Sequence, residues 1–271
     1  MLMPWAERLP ALLDRFNPAG LLYGGYEARL LSELKKSSLP RHVAVLADGN
    51  RRWARANAPG ESLVVGYQAG ADKLREFVRW CDEVGIPVVT LWVLSTENLT
   101  RSASAEVDPL LDVIGDLFTE LAAEGTWCVQ SVGDLALLPA PMVAKIRAAE
   151  EATSDRPGIH VNIAVAYGGR HELRDAVRSL LADEASKGTE LAQLAQSLEI
   201  DDLSDHLYTA GQPDPDLIIR TSGEQRLSGF LMWQSAHSEF YFCEALWPDF
   251  RKVDFIRALR SYAQRERRYG R

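Results

Sequence analysis

The chain has 271 residues, which suits one large domain or two small ones with a well-buried core. Its 46% hydrophobic and 25% charged residues are typical of a globular protein, and no apolar run is long enough for a transmembrane helix. The net charge of −8 argues against general nucleic-acid binding, and three scattered cysteines argue against a disulfide or zinc framework. With no signal-peptide pattern at the N-terminus, we expect a cytoplasmic protein.

Residues 1–40 are predicted to form an N-terminal helical arm. Leu9, Leu12 and Phe16 follow helical spacing, and a second amphipathic helix ends before Pro40. Such an arm would also suit peripheral contact with a membrane surface, although packing on the protein body is the commoner outcome.

Residues 41–271 are predicted to form one domain in which apolar strands alternate with helices. Strand candidates lie at 43–47, 88–95, 127–132, 159–166, 216–220 and about 239–243. Helix candidates lie near 66–84, 106–124, 139–153, 170–187 and 252–265. This pattern predicts an α/β fold with an open, mostly parallel six-stranded sheet flanked by helices, whose ligand sites lie beyond the carboxyl ends of the strands.

The most informative segment follows the first strand. That strand delivers Asp48 to the sheet edge, and Gly49 then begins a turn that opens a helix. Free N–H groups and the helix dipole favour anions there, Arg51 and Arg52 add charged donors, and Asp48 can hold a hard cation. Asp48 could instead be a helix N-cap. We interpret the segment as a site for a metal–diphosphate substrate.

Polar residues also follow other predicted strands. Ser95–Asn98 leads into a polar loop, Tyr167–Gly169 follows a buried strand, and Arg220 ends another, with Arg226 and Ser228 close behind it. Each could be ordinary turn or surface chemistry. Their shared position at strand ends instead favours one common site.

These motifs together resemble the cis-prenyltransferases, the undecaprenyl diphosphate synthase family. The matching segments are Asp48-Gly-Asn-Arg-Arg-Trp53, Ser95-Thr-Glu-Asn98 with Arg101, Tyr167-Gly-Gly-Arg170, Asp214 to Ser228 with Glu239, Trp247-Pro-Asp-Phe250 and Arg268-Tyr-Gly270. The single Asp201-Asp-Leu-Ser-Asp205 is expected to be a decoy for the paired motifs of trans-prenyltransferases.

The resemblance implies roles for individual residues. Asp48 and Asn98 would be catalytic, and Asp48 with Glu239 would hold Mg²⁺. Substrate-binding positions would be Gly49, Asn50, Arg51, Arg52, Trp53 and Tyr67 for the allylic diphosphate, Ser95, Thr96, Glu97 and Arg101 on a lid, and Arg220, Arg226, Leu227 and Ser228 for isopentenyl diphosphate. Arg268 and Gly270 would cross the interface of a homodimer. Because a neutral amide is a very poor base, we expect Asn98 to orient diphosphate or water while a diphosphate oxygen takes the proton.

The chain departs from the family pattern near the allylic site. Leu63 and Tyr67 stand where an Arg and a His are usual, and Gln225 replaces another His; Tyr67 could still donate through its hydroxyl. Val93 stands where long-chain enzymes have a small residue. Because Val93 and Ser95 share a strand face, a branched side chain there would narrow the tunnel.

We therefore predict a Mg²⁺-dependent prenyltransferase that condenses isopentenyl diphosphate with an allylic diphosphate. The pattern most resembles the short-chain (2Z,6E)-farnesyl diphosphate synthases of actinobacterial type, with geranyl diphosphate as the primer. The alternatives are a long-chain polyprenyl synthase, an enzyme that joins two allylic units, and a non-catalytic subunit of a heteromeric enzyme, although such a subunit would lack the Asp48 motif.

Overall fold

The structure is a computed structural model that describes residues 38–101 and 104–265, without the side chains of 101–106. Nearly all of the predicted arm, residues 1–40, lies outside this description. Residues 40–250 form one compact unit, and 251–265 belong to a second unit. Within the second unit, Asp254 accepts hydrogen bonds from the backbone and side chain of Arg251.

Within the described residues, six parallel strands form a single sheet, as predicted. Their bounds are β1 His42–Leu46, β2 Val88–Trp92, β3 Cys128–Val132, β4 His160–Ala164, β5 Leu217–Arg220 and β6 Glu239–Phe242. The order across the sheet is β3-β4-β2-β1-β5-β6, and every pairing is parallel. All side chains of β1 are buried, which explains its run of apolar residues without alternation.

Helices alternate with the strands along the chain, and the last described helix belongs to the second unit. Their bounds are α1 Asn50–Asn57, α2 Val64–Glu83, α3 Thr96–Arg101, α4 Ser104–Ala123, α5 Ala140–Thr153, α6 Gly169–Ser186, α7 Leu191–Ser197, α8 Ile200–Ser204 and α9 Lys252–Gln264. The five helices predicted from periodicity are confirmed to within two residues. No described helix has both the length and the apolar character that crossing a membrane requires.

The Trp247-Pro-Asp-Phe250 motif anchors α2 beside the first strand. Trp247 is fully buried, and its ring lies 5.7 Å from Phe77 and 5.4 Å from Phe250 between centroids. Its indole N–H donates to the carbonyl of Gly70 at 2.9 Å, and its backbone N–H donates to the carbonyl of Asp48. This motif therefore fixes the backbone at the end of β1 as well as the core.

A buried histidine, His42, begins β1 and so lies at the edge of the sheet where the parallel strands start. His42 Nδ1 is 2.7 Å from the carbonyl of Pro213, so it donates there, and Nε2 accepts from the Thr90 hydroxyl at 2.8 Å. Burial lowers the pKa of His42 from 6.5 to about 4, although Pro213 and Asp216 oppose the shift. The ring is therefore neutral in the folded protein at physiological pH.

His42 is expected to make the free energy of unfolding depend on pH. Because its folded-state pKa lies below 6.5, its contribution is complete above that pH and is lost as pH falls towards 4, by about 3 kcal/mol in total. Urea unfolding at several pH values should show a shallower dependence in His42→Gln than in the native chain. His160→Gln, at the exposed first position of β4, should keep the native dependence. An unchanged dependence in His42→Gln would contradict this assignment.

Candidate active site

Two open cavities meet at the carboxyl edge of the sheet. The first has a volume of about 490 Å³ and reaches Arg220, Arg226 and Ser228; the second has about 510 Å³ and reaches the start of α1. The residues that line both are Ala47, Asp48, Arg51, Val93, Leu94 and Asn98. The shared lining means that ligands in the two cavities would touch at Asp48.

Asp48 is held in place through its backbone. The Thr221 hydroxyl accepts from Asp48 N–H at 3.0 Å and donates to the Asp48 carbonyl at 2.8 Å. Thr221 directly follows β5 and Asp48 lies two residues beyond β1, the adjacent parallel strand, so strand pairing sets this contact. The Asp48 side chain lines both cavities, and it is 43% exposed.

Arg220 is a buried cation that links the parts of the first cavity. Its Nη2 donates to Asp48 Oδ2 at 3.3 Å, and its Nη1 donates to Ser228 Oγ at 3.0 Å and to the carbonyl of Arg226. Burial lowers the pKa of the guanidinium, an effect that Asp48 opposes, but an arginine remains charged at any physiological pH. Its Nε is buried and has no hydrogen-bond partner among the described residues.

The segment after Arg220 adopts an unusual backbone. Ser222, Ser228 and Leu231 have φ values of 77°, 52° and 44°, in the left-handed region that side chains other than glycine rarely adopt. Such strain costs about 1–3 kcal/mol per residue and persists where the surroundings impose it. Here it directs the Ser228 hydroxyl to Arg220.

The helix that opens the second cavity begins at a glycine. Gly49 has φ 114°, and a Cβ there would lie 2.9–3.0 Å from Leu246, so no other residue fits without a shift. No side chain caps this end of α1, so Asp48 is not its N-cap. Arg52 reaches back to the Ser222 carbonyl at 3.4 Å and to Asp48 at 3.7 Å. The helix start therefore offers N–H groups and arginines to an anion.

The prediction of a polar loop after β2 is wrong for residues 96–101, because Thr96–Arg101 forms a short helix, α3. The Ser95 hydroxyl accepts from the Asn98 N–H at 3.0 Å, which is the geometry of a helix cap. The exposed side chains of Glu97 and Asn98 line the first cavity.

Most of the predicted site residues line the two cavities. Those that do are Asp48, Gly49, Asn50, Arg51, Arg52, Tyr67, Val93, Ser95, Glu97, Asn98, Arg220, Arg226 and Ser228. Trp53, Thr96 and Leu227 lie outside this lining. The Trp53 indole donates to Asp249 at 2.8 Å, Thr96 is buried beside His171, and Leu227 packs on the core.

Three further predicted positions lie outside the description. These are the side chain of Arg101, Arg268 and Gly270. Conversely, the second cavity contains lining residues that the sequence did not suggest, Arg55, Val107, Leu110 and Glu224. Only Arg55 had a usable signal, because it lies one helical turn beyond Arg51.

Glu239, which we expect to hold Mg²⁺ with Asp48, does not lie beside Asp48 within one chain. Glu239 begins β6 opposite Leu217, whereas Phe242 at the end of β6 lies opposite Arg220. Glu239 is therefore about 10 Å away along the strand direction, at the opposite edge of the sheet.

The donor set in the cleft suits a cation that is shared with substrate. Among the described residues, no three His, Cys, Asp or Glu side chains converge on a metal site. Mg²⁺ is commonly held by one or two carboxylates together with phosphate oxygens and water. The half-exposed Asp48 carboxylate, facing both cavities, fits that requirement.

A third cavity of about 30 Å³ lies beneath the second one, between α2 and α4. It shares Ala47, Asn50, Tyr67, Val93 and Leu110 with the second cavity, and it continues towards Leu74 and Leu117. This volume holds about one water molecule. We call it the apolar end cavity.

Comparisons with known proteins agree with this geometry. Residues 46–270 match the family model for undecaprenyl diphosphate synthase. The chain is 57% identical to a (2Z,6E)-farnesyl diphosphate synthase of Thermobifida fusca, over 92% of this chain and 97% of the relative. It is 53% identical to one of Mycolicibacterium smegmatis, over 92% and 95%. Lavandulyl diphosphate synthase of Lavandula x intermedia, solved with dimethylallyl diphosphate, has a TM-score of 0.79 at 34% identity and covers 86% of this chain and 99% of its own.

Proposed function

The chain belongs to the undecaprenyl diphosphate synthase family of prenyltransferases, and we propose that it condenses isopentenyl diphosphate with geranyl diphosphate to give (2Z,6E)-farnesyl diphosphate. Two curated relatives above half identity carry that product in their names. The single observation that carries the proposal is the pair of cavities that meet at Asp48 and Asn98, each with arginines in its wall.

Each cavity suits one diphosphate. In the second, the start of α1 with Arg51 and Arg52 would bind the allylic diphosphate through N–H groups and charge-assisted hydrogen bonds. In the first, Arg220, Arg226 and Ser228 would bind isopentenyl diphosphate. The apolar tail of the allylic substrate would extend away from the arginines towards Val93.

The reaction forms one carbon–carbon bond. The allylic C1–O bond breaks and diphosphate leaves, C4 of isopentenyl diphosphate bonds to C1, and a C2 proton is lost to a diphosphate oxygen. Arginines already fixed in the cleft would stabilise the leaving diphosphate, which is electrostatic catalysis by preorganised charge. Mg²⁺, held by Asp48 and diphosphate oxygens, would add positive charge at the same place. Asn98 would orient a diphosphate or water.

Product length would be limited by the apolar end cavity. A room of about 30 Å³ holds about one water, which is much less than a further five-carbon unit needs. Val93 lies where this cavity meets the second one and lines both. The Val93 side chain would thus stop growth of the prenyl chain after a single condensation.

A homodimer would resolve the position of Glu239. Because strand direction places Glu239 away from Asp48 in its own chain, it could join a metal only at the site of a second chain. Oligomers of identical chains are usually two-fold symmetric, so both sites would be completed equally. We propose that the protein is such a homodimer. We also propose that it acts in the cytoplasm.

Turnover with defined primers tests the proposed function. With Mg²⁺ and labelled isopentenyl diphosphate, geranyl diphosphate should give a fifteen-carbon product. Asp48→Asn should lower kcat by about 10²-fold or more, because the carboxylate charge is lost at the reacting centre. Condensation of two dimethylallyl diphosphates without isopentenyl diphosphate would instead favour chemistry of the kind named for the lavandulyl enzyme. No turnover with any primer would contradict self-sufficient catalysis.

Val93→Ala should lengthen the product. Removing two methyl groups opens the wall between the second cavity and the apolar end cavity, so products of twenty carbons or more should appear on chromatography. Val107→Ala is the matched control, because Val107 lines the second cavity but not the apolar end cavity. Identical product lengths for Val93→Ala and the native chain would disprove the role of Val93.

A further inference from the structure

Tyr167 and Glu172 are two buried polar residues for which the proposed reaction has no use. Their exposed fractions are 0% and 1%, and neither lines the cavities described above. Tyr167 lies three residues beyond the end of β4, and Glu172 lies in the first turn of α6. Buried polar groups are expensive unless they are fully hydrogen-bonded, so their partners show what they hold.

The hydrogen bonds of Tyr167 and Glu172 lead to the segment that carries Arg226 and Ser228, two residues that line the first cavity. The Tyr167 hydroxyl donates to Glu172 Oε2 at 2.6 Å and accepts from the Leu231 N–H at 3.1 Å. Glu172 Oε1 accepts from Gln234 Nε2 at 3.0 Å and from the Tyr208 N–H at 3.1 Å. Leu231, through the Tyr167 hydroxyl, and Gln234, directly, thus tie both ends of the 231–234 turn to the Glu172 side chain.

The proton on Tyr167 fixes the direction of its hydrogen bonds. Burial, with a further contribution from Glu172, raises the pKa of the Tyr167 phenol, so the hydroxyl keeps its proton. The proton is donated to the carboxylate, which leaves the oxygen lone pairs to accept from Leu231. A phenylalanine would remove both bonds and leave the Leu231 N–H unpaired.

Tyr167 also contacts the start of α3, the segment that is expected to act as a lid. Its backbone N–H donates to the Leu94 carbonyl at 3.1 Å, and its carbonyl accepts from the Thr96 N–H at 3.0 Å. Tyr167 therefore joins the start of α3, through its backbone, to the 226–231 segment, through its side chain. These two segments supply Asn98 on one side of the first cavity and Ser228 on the other.

We propose that Tyr167 and Glu172 are positioning residues that set the affinity of the first cavity for isopentenyl diphosphate by holding the strained 226–231 segment in place. This inference rests on the proposed function for the identity of the ligand. Leu231 has a left-handed φ of 44°, and Ser228, three residues earlier, has 52°. A fixed Leu231 N–H holds the end of this strained backbone while Arg220 holds its Ser228 hydroxyl.

Packing alone would not give the same control. Phe230 stacks on Trp92 with centroids 5.1 Å apart and an angle of 5°, and Phe230 and Leu231 are fully buried. These apolar contacts hold the segment against the sheet, but they are non-directional. The hydrogen bonds are directional, and they fix the rotation of the backbone that aims Ser228.

Tyr167→Phe tests the proposal against a matched control. It should raise KM for isopentenyl diphosphate about tenfold, the effect of one unsatisfied buried N–H, with little change in KM for geranyl diphosphate. Tyr208→Phe is the control: its ring lies 6.4 Å from Tyr167, and its hydroxyl donates only to Asp175, at 2.6 Å, among its described side-chain bonds. Tyr208→Phe should leave both KM values unchanged.

Glu172 provides a second test with a conservative substitution. Glu172→Gln keeps an acceptor for the Tyr208 N–H and Gln234, so its rise in KM for isopentenyl diphosphate should be smaller than that of Glu172→Ala. A rise of equal size in the KM of both substrates, or equal effects of the Gln and Ala variants, would overturn the positioning role.

Hydrogen exchange provides a readout that needs no catalysis. Backbone amides of residues 226–234 should exchange faster in Tyr167→Phe than in Tyr208→Phe, because only the former releases Leu231. Equal exchange in the two variants would contradict the proposal. If the native chain shows no turnover, the proposed function fails, and the exchange comparison still decides whether Tyr167 orders this segment.

Discussion

All strands of the sheet run in the same direction, and the rest of the site depends on this constraint. Asp48, Ser95 and Tyr167 follow strand ends and Arg220 closes one, so the parallel register gathers them at one edge although they are spread over more than 170 positions. The same register places Glu239 at the opposite edge, because it begins its strand. Strand direction thus decides both what the cleft contains and what one chain alone does not bring to it.

The buried guanidinium of Arg220 connects the halves of the cleft. A buried charge is costly unless its partners replace water, and here Asp48, the Ser228 hydroxyl and the Arg226 carbonyl do so. Arg220 therefore orients the carboxylate that faces both cavities and the segment that lines one of them. The arginine side chains of the cleft are already positioned for two diphosphates. Little reorganisation of the protein is therefore needed when charge moves between the two diphosphates.

The sequence predicted the strands and long helices well, because strands such as β1 are apolar on both faces and the helices have clear periodicity. It also predicted that Asp48 and Arg220 share an edge, since this follows from parallel pairing. It failed for α3, whose polar residues form a helix because Ser95 caps it. It did not show that Glu239 lies at the other edge of the sheet in its own chain, because the direction of β6 determines its place. It also gave no sign of Tyr167 holding Leu231, a contact across 64 positions.

The parallel sheet places Glu239 away from Asp48 in its own chain. The consequence, that Glu239 acts at the site of a second chain, is tested most directly by mixing two inactive chains, one with Asp48→Ala and one with Glu239→Ala. If Glu239 serves the site of a second chain, each mixed dimer has one site with both residues intact and one with neither. Random pairing of equal amounts should then restore about a quarter of native turnover, because half of the dimers are mixed. If Asp48 and Glu239 of the same chain worked together, every site would lack one of them, and the mixture would stay inactive.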